Sequence, residues 1–224
     1  MKLMFINPNF AEKIILPDAF IQKLPQKTGL ASTTQFANQL EDIKKQIKNA
    51  GKDAVFAKGN QPLPGQILGC DVSSAEKISN DVDAFLYIGD GLFHPIGLGI
   101  IGKKVYCYNP YTKQATVLDE KVVERYKKRR KGALLKYLSS GSVGILVSTK
   151  AGQNSLAQAV RFKKQIEQKG KNGFIFIFNT LDFNQLENFT FVDCWVNTAC
   201  PRLLDDSEKF GKAVINLREA IENL

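Results

Sequence analysis

Histidine is all but absent. The 224 residues hold one, His94, which excludes a two-histidine metal site and leaves a single candidate for any Ser–His or Cys–His couple. No uncharged apolar run reaches the ~20 residues that cross a bilayer. The amino-terminal MKLMFINPNF is too short and too polar for a signal peptide. A cytoplasmic protein with no membrane partner is expected. Without a secretion signal, the four cysteines do not point to a disulfide framework in a chain this long. In the cytosol a cysteine that matters is a metal ligand or a redox group; otherwise it is a small buried hydrophobe. No recognised RNA-binding motif is present.

What is there reads as an ordinary globular chain, 44% hydrophobic and 24% charged. Its length allows one large domain or two of about 100–120 residues. The formal charge of +9 draws the chain towards acidic partners. Cations are densest at Lys127–Lys131. That run is expected on the solvated face of a helix rather than in a dedicated phosphate patch.

Short apolar runs mark strands at 3–6, 29–32, 54–57, 84–88, 104–108, 143–148, 173–178 and 191–198. Phe36, Leu40, Ile43 and Ile47 share one helical face, as do Phe210, Ala213, Val214, Leu217, Ile221 and Leu224. Strands that are nearly all apolar and alternate with helices imply an α/β protein with parallel sheets covered on both faces.

Two stretches resemble each other: GLASTTQFANQLEDIKKQIKNAGKDAVFA from Gly29 and GILVSTKAGQNSLAQAVRFKKQIEQKGKNGFIFI from Gly144. Both run strand, Ser-Thr, a polar turn with Gln, a helix with KKQI, Gly-Lys, strand. This internal repeat predicts two similar α/β domains, 26–118 and 119–224, preceded by an arm at 1–25, with the boundary near a long helix at 119–137. The first domain leads to Cys70 in a Pro/Gly-rich loop, the second to Cys200 just past a strand. Ligands gather beyond the carboxyl ends of parallel strands, so two loop cysteines at such edges are candidates for a shared centre. Cys107 and Cys194 lie inside strands and read as packing residues, with Cys194 a spare ligand.

The motifs GQILGC, IGDGLFHPIGL, YNPYTK, LVSTKAGQ and NTACPRL, in that order over 27–224, resemble the second and third domains of the diphthamide synthase catalytic subunit family, archaeal type. The resemblance implies three α/β domains, each giving one cysteine to a 4Fe–4S cluster whose fourth iron site binds S-adenosylmethionine. It also implies transfer of a 3-amino-3-carboxypropyl group to a histidine of translation elongation factor 2. Cys70 and Cys200 then become the second-domain and third-domain ligands. Two thiolates leave such a cluster under-ligated. The family's first domain, with its cysteine, is expected to be missing from this chain, with residues 1–25 its last strand and exit. A partner chain supplying that domain, in a homo- or heterodimer, is therefore expected. The alternative is a non-catalytic scaffold or interaction subunit without its own cluster.

Under this resemblance Asp90, Gly91 and His94, after the strand AFLYI, line the site; alone, His94 reads as a structural loop residue. Gln35 and the stretch Ser148, Lys150, Gly152, Gln153 occupy equivalent turns that open helices. There free N–H groups would suit the methionyl carboxylate or simply be capped. Gly69 would let the backbone approach the cluster. Arg202 would offset cluster charge or pair with a carboxylate. Asn109, in the segment Tyr108-Asn109-Pro110-Tyr111, stands where the family usually carries Asp; it reads as structural punctuation. No catalytic residue is assigned.

Overall fold

The computed structural model describes residues 4, 6 and 8–224; the strand expected at 3–6 lies partly outside the described residues. The chain divides into two units, Met1–Arg125 and Tyr126–Leu224, each built on its own sheet. The first contains α1 (Asp18–Ile21), β1 (Lys27–Ser32), α2 (Thr34–Ala37), α3 (Leu40–Asn49), β2 (Asp53–Val55), α4 (Ser73–Glu76), β3 (Ala84–Ile88), α5 (Phe93–Ile100), β4 (Lys104–Asn109) and β5 (Gln114–Val117). Helix α6 (Glu120–Ser139) carries the boundary. Then come β6 (Ser142–Ser148), α7 (Leu156–Gln168), β7 (Asn172–Phe178), α8 (Phe183–Leu186), β8 (Cys194–Asn197), a 3-10 helix (Pro201–Phe210), β9 (Val214–Asn216) and α9 (Leu217–Glu222).

The sheets run β2-β1-β3-β4-β5 and β7-β6-β8-β9. Their first four strands correspond one to one, and all those pairings are parallel. The two similar parallel-sheet α/β units expected from the repeat are what forms. Every residue of β3 is buried, because helices cover both faces of the sheet. The antiparallel edge strand β5 was not expected. All four of its residues are exposed, so it has no apolar run to announce it.

Shared details extend the repeat. The Asp83 carboxylate accepts from Lys27 N–H (3.0 Å), and Asp193 accepts from Ser142 N–H (2.8 Å); each tethers its sheet's third strand to the start of the first. Gly51 and Gly170, at φ 77° and 80°, end α3 and α7 in the left-handed region that glycine adopts without strain. The lysine that follows turns back to main-chain carbonyls. Lys52 Nζ donates to Ile21, Gln22 and Leu24, and Lys171 Nζ to Tyr137, Leu138 and Ser140. A cation there complements the negative end of the preceding helix. Helix α6 therefore stands to β6 as α1 stands to β1.

Part of the arm at 1–25 belongs to the first unit's core: Ile14, Leu16, Phe20, Ile21 and Leu24 are buried with Leu30, Leu40 and Ile43. Gln39, just before α3, and Gln46 on α3 hold it. Their amides bond Ile14 N, Leu16 N and the carbonyls of Phe10, Glu12 and Ile14.

The apolar period from Phe210 to Leu224 is not one helix. Gly211 turns left-handed at φ 64° and ends the 3-10 helix. Val214 and Ile215 are then both buried in β9. Adjacent residues face opposite sides of a strand, and both sides of this strand are covered. The helix expected through 36–47 is split between α2 and α3. The basic run lies on α6 as expected, with Arg129 bonded to Ser207 and Glu208 and Arg130 3.4 Å from Glu219. Among the described residues no helix is long and apolar enough to cross a membrane.

Candidate functional site

In the first unit the candidates gather at the carboxyl edge of the sheet. Gln66 pairs with Ser32 at the end of β1, bringing the long loop after β2 back to that edge. Leu68 and Asp71 then bond each other main chain to main chain (2.9 and 3.0 Å), closing a tight turn with Gly69 and the exposed Cys70 at its tip. Asp71, absent from the residues expected, braces this turn. Burial raises its carboxyl, but hydrogen bonds from Ser73, Gln61 and Asn60 outweigh that and hold it below its usual value. Gly69 also serves packing. A Cβ there would lie 2.3 Å from the Phe93 ring. Phe93 opens α5, and Gly97 on the same helix faces the Gly69 carbonyl.

Asp90 and Gly91 lie in the bend between β3 and α5. His94 sits in the first turn of α5, not in a loop, and stacks on Tyr87 with centroids 6.0 Å apart. The Asp90 carboxylate accepts from Gly91 N–H and Asn109 Nδ2, both at 2.8 Å. Asn109 Oδ1 accepts from Tyr111 N–H, and Gln35 Nε2 donates to Tyr111 Oη. Gln35, Tyr111, Asn109 and Asp90 thus form one hydrogen-bonded line along the edge, and Asn109 is its central link. Beside it the Ser32 and Thr33 hydroxyls are buried without a hydrogen-bond partner. A buried polar group without a partner costs stability, which marks this point as able to receive a polar ligand atom.

In the second unit a cavity of about 420 Å³ opens at the carboxyl ends of β6 and β7. It brings together Ser148, Lys150, Gln153, Cys200, Arg202 and Asp205. All but Asp205 were expected. Gly152, at φ 76°, shapes the same turn. That turn does not open a helix: α7 begins later, at Leu156. Gln35 lies in α2, only four residues long, so neither turn offers the N-terminus of a long helix to a carboxylate. Instead the Ser148 hydroxyl accepts from Lys150 N–H, which leaves the lysine in the cavity lining.

The NTACPRL motif has a physical reading here. Buried Asn197 donates to the Cys200 and Asn216 oxygens and accepts from Ala199 N–H, each at 3.0 Å. Thr198 Oγ1 donates to the Leu146 carbonyl (2.8 Å). Pro201 starts the 3-10 helix, where its missing N–H costs nothing. Cys200 is thereby presented from a braced loop. Arg202 lies 3.6 Å from Asp205, whose carboxyl burial raises above its usual value against the opposing pull of Arg202. An Arg followed three positions later by Asp was the signal available for Asp205.

Cys70 and Cys200 occupy the same kind of edge but different crossovers, β2–β3 and β8–β9. The repeat does not make them equivalent. Cys107 and Cys194 differ from both. Burial pushes each thiol up to about 12, which opposes formation of the thiolate a metal requires. Cys194 is fully buried among Tyr137, Val143 and Ala159, so it is no spare ligand.

The donor chemistry therefore fits an iron–sulfur cluster at two positions. Among the described residues no three His, Cys, Asp or Glu side chains are grouped to hold a metal.

The sequence is 34% identical over 203 residues to a 2-(3-amino-3-carboxypropyl)histidine synthase of Pyrococcus horikoshii, covering 89% of this chain and 57% of that protein. It is 30% identical to subunit 1 of the Homo sapiens synthase of that name, covering 92% of this chain and 47% of the other. The crystal structure of Dph2 from Pyrococcus horikoshii with a 4Fe–4S cluster superposes with a TM-score of 0.73 at 32% identity, over 90% of this chain and 58% of that one. This chain thus spans about half the length of the curated relatives it matches. The model of the diphthamide synthesis proteins matches residues 4–222, nearly the whole sequence, and the chain belongs to that family.

Proposed function

We propose that this chain contributes to 2-(3-amino-3-carboxypropyl)histidine synthesis, the first step of diphthamide formation on translation elongation factor 2. Cys70 and Cys200 are its two ligands to a 4Fe–4S cluster. When bound, that cluster with S-adenosylmethionine supplies the 3-amino-3-carboxypropyl group. The observation that carries the reading is the sorting of four thiols: Cys194 buried and Cys107 half-buried inside strands, each with its pKa raised by burial, and Cys70 and Cys200 presented in loops at sheet edges among the family's motifs.

The residues divide the remaining work. Lys150 and Arg202 place positive charge in the Cys200 cavity, suiting an anionic cluster and a carboxylate-bearing co-substrate. The Asp90–Asn109–Tyr111–Gln35 line braces the carboxyl edge of the first sheet, and the unpaired Ser32 hydroxyl is available to a polar ligand atom. Such clusters normally take three or four protein ligands, so a third cysteine comes from polypeptide outside these 224 residues, in a homo- or heterodimer. The chain works in the cytoplasm, where its protein substrate is made.

Anaerobic reconstitution with iron and sulfide, with and without a polypeptide carrying the family's remaining domain, tests this. Brown protein whose absorbance and iron are lost in Cys70→Ala and in Cys200→Ala is expected, with Cys107→Ala and Cys194→Ala unchanged. Iron-free protein that binds its partner equally well in all four variants would establish a scaffold instead.

A further inference from the structure

The repeat matches α3 to α7 residue for residue. Lys44-Lys45-Gln46-Ile47 corresponds to Lys163-Lys164-Gln165-Ile166, and seven positions before each shared glutamine stands another, Gln39 and Gln158. That spacing is two helical turns, so each pair lies on one face. In the first unit the pair clamps main chain. Gln39 accepts from Ile14 N–H (2.8 Å) and donates to the Phe10 and Glu12 carbonyls; Gln46 accepts from Leu16 N–H (2.9 Å) and donates to the Ile14 carbonyl. The groups held belong to every second residue. Burial follows the same period, with Ile14 and Leu16 3% and 2% exposed and Ile15 67%. A period of two is that of extended chain. The clamp reads it through carboxamides, which both donate and accept.

The second unit keeps the clamp but is entered by α6 rather than by an extended arm. Gln158 and Gln165 line a cavity of about 590 Å³ between α7 and α9, and neither side chain makes a hydrogen bond among the described residues. Ile221, 46% exposed, adds apolar surface on the α9 wall. The charge between the glutamines is reversed. In the first unit it is Asp42, which lines one cavity with Lys13 of the arm. In the second it is Arg161, whose side chain has no ion-pair partner among the described residues. Arg218 and Glu222 on the α9 wall bond each other at 2.9 Å and offset one another, so Arg161 sets the sign of the groove.

We propose that the groove between α7 and α9 is a docking site for an extended, acidic segment of a partner polypeptide. Gln158 and Gln165 hold its main chain as Gln39 and Gln46 hold residues 10–16. A carboxylate at the place Lys13 takes in the arm meets Arg161, the residue that replaces Asp42, and a guanidinium can bind it through two parallel hydrogen bonds. An apolar residue of the segment covers Ile221. The glutamines supply affinity for any extended chain, and Arg161 supplies the preference for an acidic one. The site needs no cluster and does not depend on the synthase reading.

Fluorescence anisotropy with labelled synthetic heptapeptides tests this on the metal-free chain. The probe is Phe-Ala-Glu-Glu-Ile-Ile-Leu, the sequence of residues 10–16 with glutamate in the place of Lys13; the control is the unaltered Phe-Ala-Glu-Lys-Ile-Ile-Leu. Saturable binding of the acidic peptide is expected, with the side-chain amide resonances of Gln158 and Gln165 shifting as it binds. The lysine peptide should bind about tenfold more weakly, the scale of one hydrogen bond to a charged group. Arg161→Glu should invert that preference. The double variant Gln158→Ala/Gln165→Ala alters exposed side chains only; it should keep its circular dichroism spectrum and lose affinity for both peptides. Absence of saturable binding, an Arg161→Glu chain that still prefers the acidic peptide, or a glutamine double variant that binds like wild type overturns the proposal.

Discussion

The side-chain amide of Asn197 donates to the main-chain oxygen of Cys200 at 3.0 Å. Through its other contacts the same amide ties the end of β8 to Asn216 in β9. Asn197→Ala would leave the Asn216 carboxamide oxygen and Ala199 N–H without these partners. A cost of about 1–3 kcal/mol is expected for such a loss, or a Tm lower by about 2–4 °C for each kcal/mol in a chain of this size. Thermal unfolding reads the cost. Alkylation of Cys200 should also quicken as its loop loosens.

Asn109 stands where a second carboxylate would disturb Asp90. Asn109→Asp would replace a 2.8 Å donor to the Asp90 carboxylate with a like charge. A loss of about 1 kcal/mol at neutral pH is expected for an exposed hydrogen bond to a charged group. Melting curves of the variant and the wild type check this.

Thiol reactivity separates the cysteines without any metal. At pH 7.5 the native, metal-free chain should take up about two equivalents of iodoacetamide, at Cys70 and Cys200, since the reagent needs a thiolate and access to it. Cys107 and Cys194, each pushed up to about 12 by burial, should react only after unfolding. Peptide mapping identifies the sites, and early labelling of Cys194 would contradict the packing described above.

Lys171 Nζ donates to three carbonyls where α6 runs into β6, and its ammonium lies over the Tyr137 ring. Lys171→Met keeps the length of the stem and removes the donors. A loss of about 1.5–3 kcal/mol is expected from hydrogen bonds to a charged group. Lys52→Met should behave alike in the first unit, whereas exposed Lys164→Met should change Tm little. Denaturant unfolding of the three variants gives the comparison.

Asp193 provides a pH signature. The Ser142 N–H foremost, then that of Gly141, holds its carboxyl below the ordinary value of 3.8 against a weaker push from burial. A lowered folded-state pKa contributes stability that is complete above the unfolded value and fades as pH falls through the folded one. The Tm gap between wild type and Asp193→Ala should therefore be constant at neutral pH and close below about pH 4. A gap that persists to pH 2 would assign the effect to packing instead.

Much of this was legible in the chain itself. Apolar runs without charge at Ala84–Ile88 and Ser142–Ser148 could only be covered strands, and the duplicated order of Ser-Thr, KKQI and Gly-Lys declared two like units. The residues expected around Cys200 share a cavity because they sit in two loops leaving adjacent strands, β6 and β8. Strand β5 and the start of α5 escaped notice. Exposed β5 has no hydrophobic signature, and α5 opens with Phe93-His94-Pro95, where proline obscures the helical pattern.

Residue order by itself determined the strands β1 to β4 and β6 to β8, that the unit is used twice, and which cysteines lie outside strands, since these depend on local polarity and spacing. Only the tertiary structure decided that Gly69 makes room for Phe93, that Asn109 serves Asp90, that the period after Phe210 resolves into β9 and α9, and that Cys70 and Cys200 occupy different crossovers. Each of those depends on what lies opposite in space, and contacts between residues distant in the chain leave no period in the sequence.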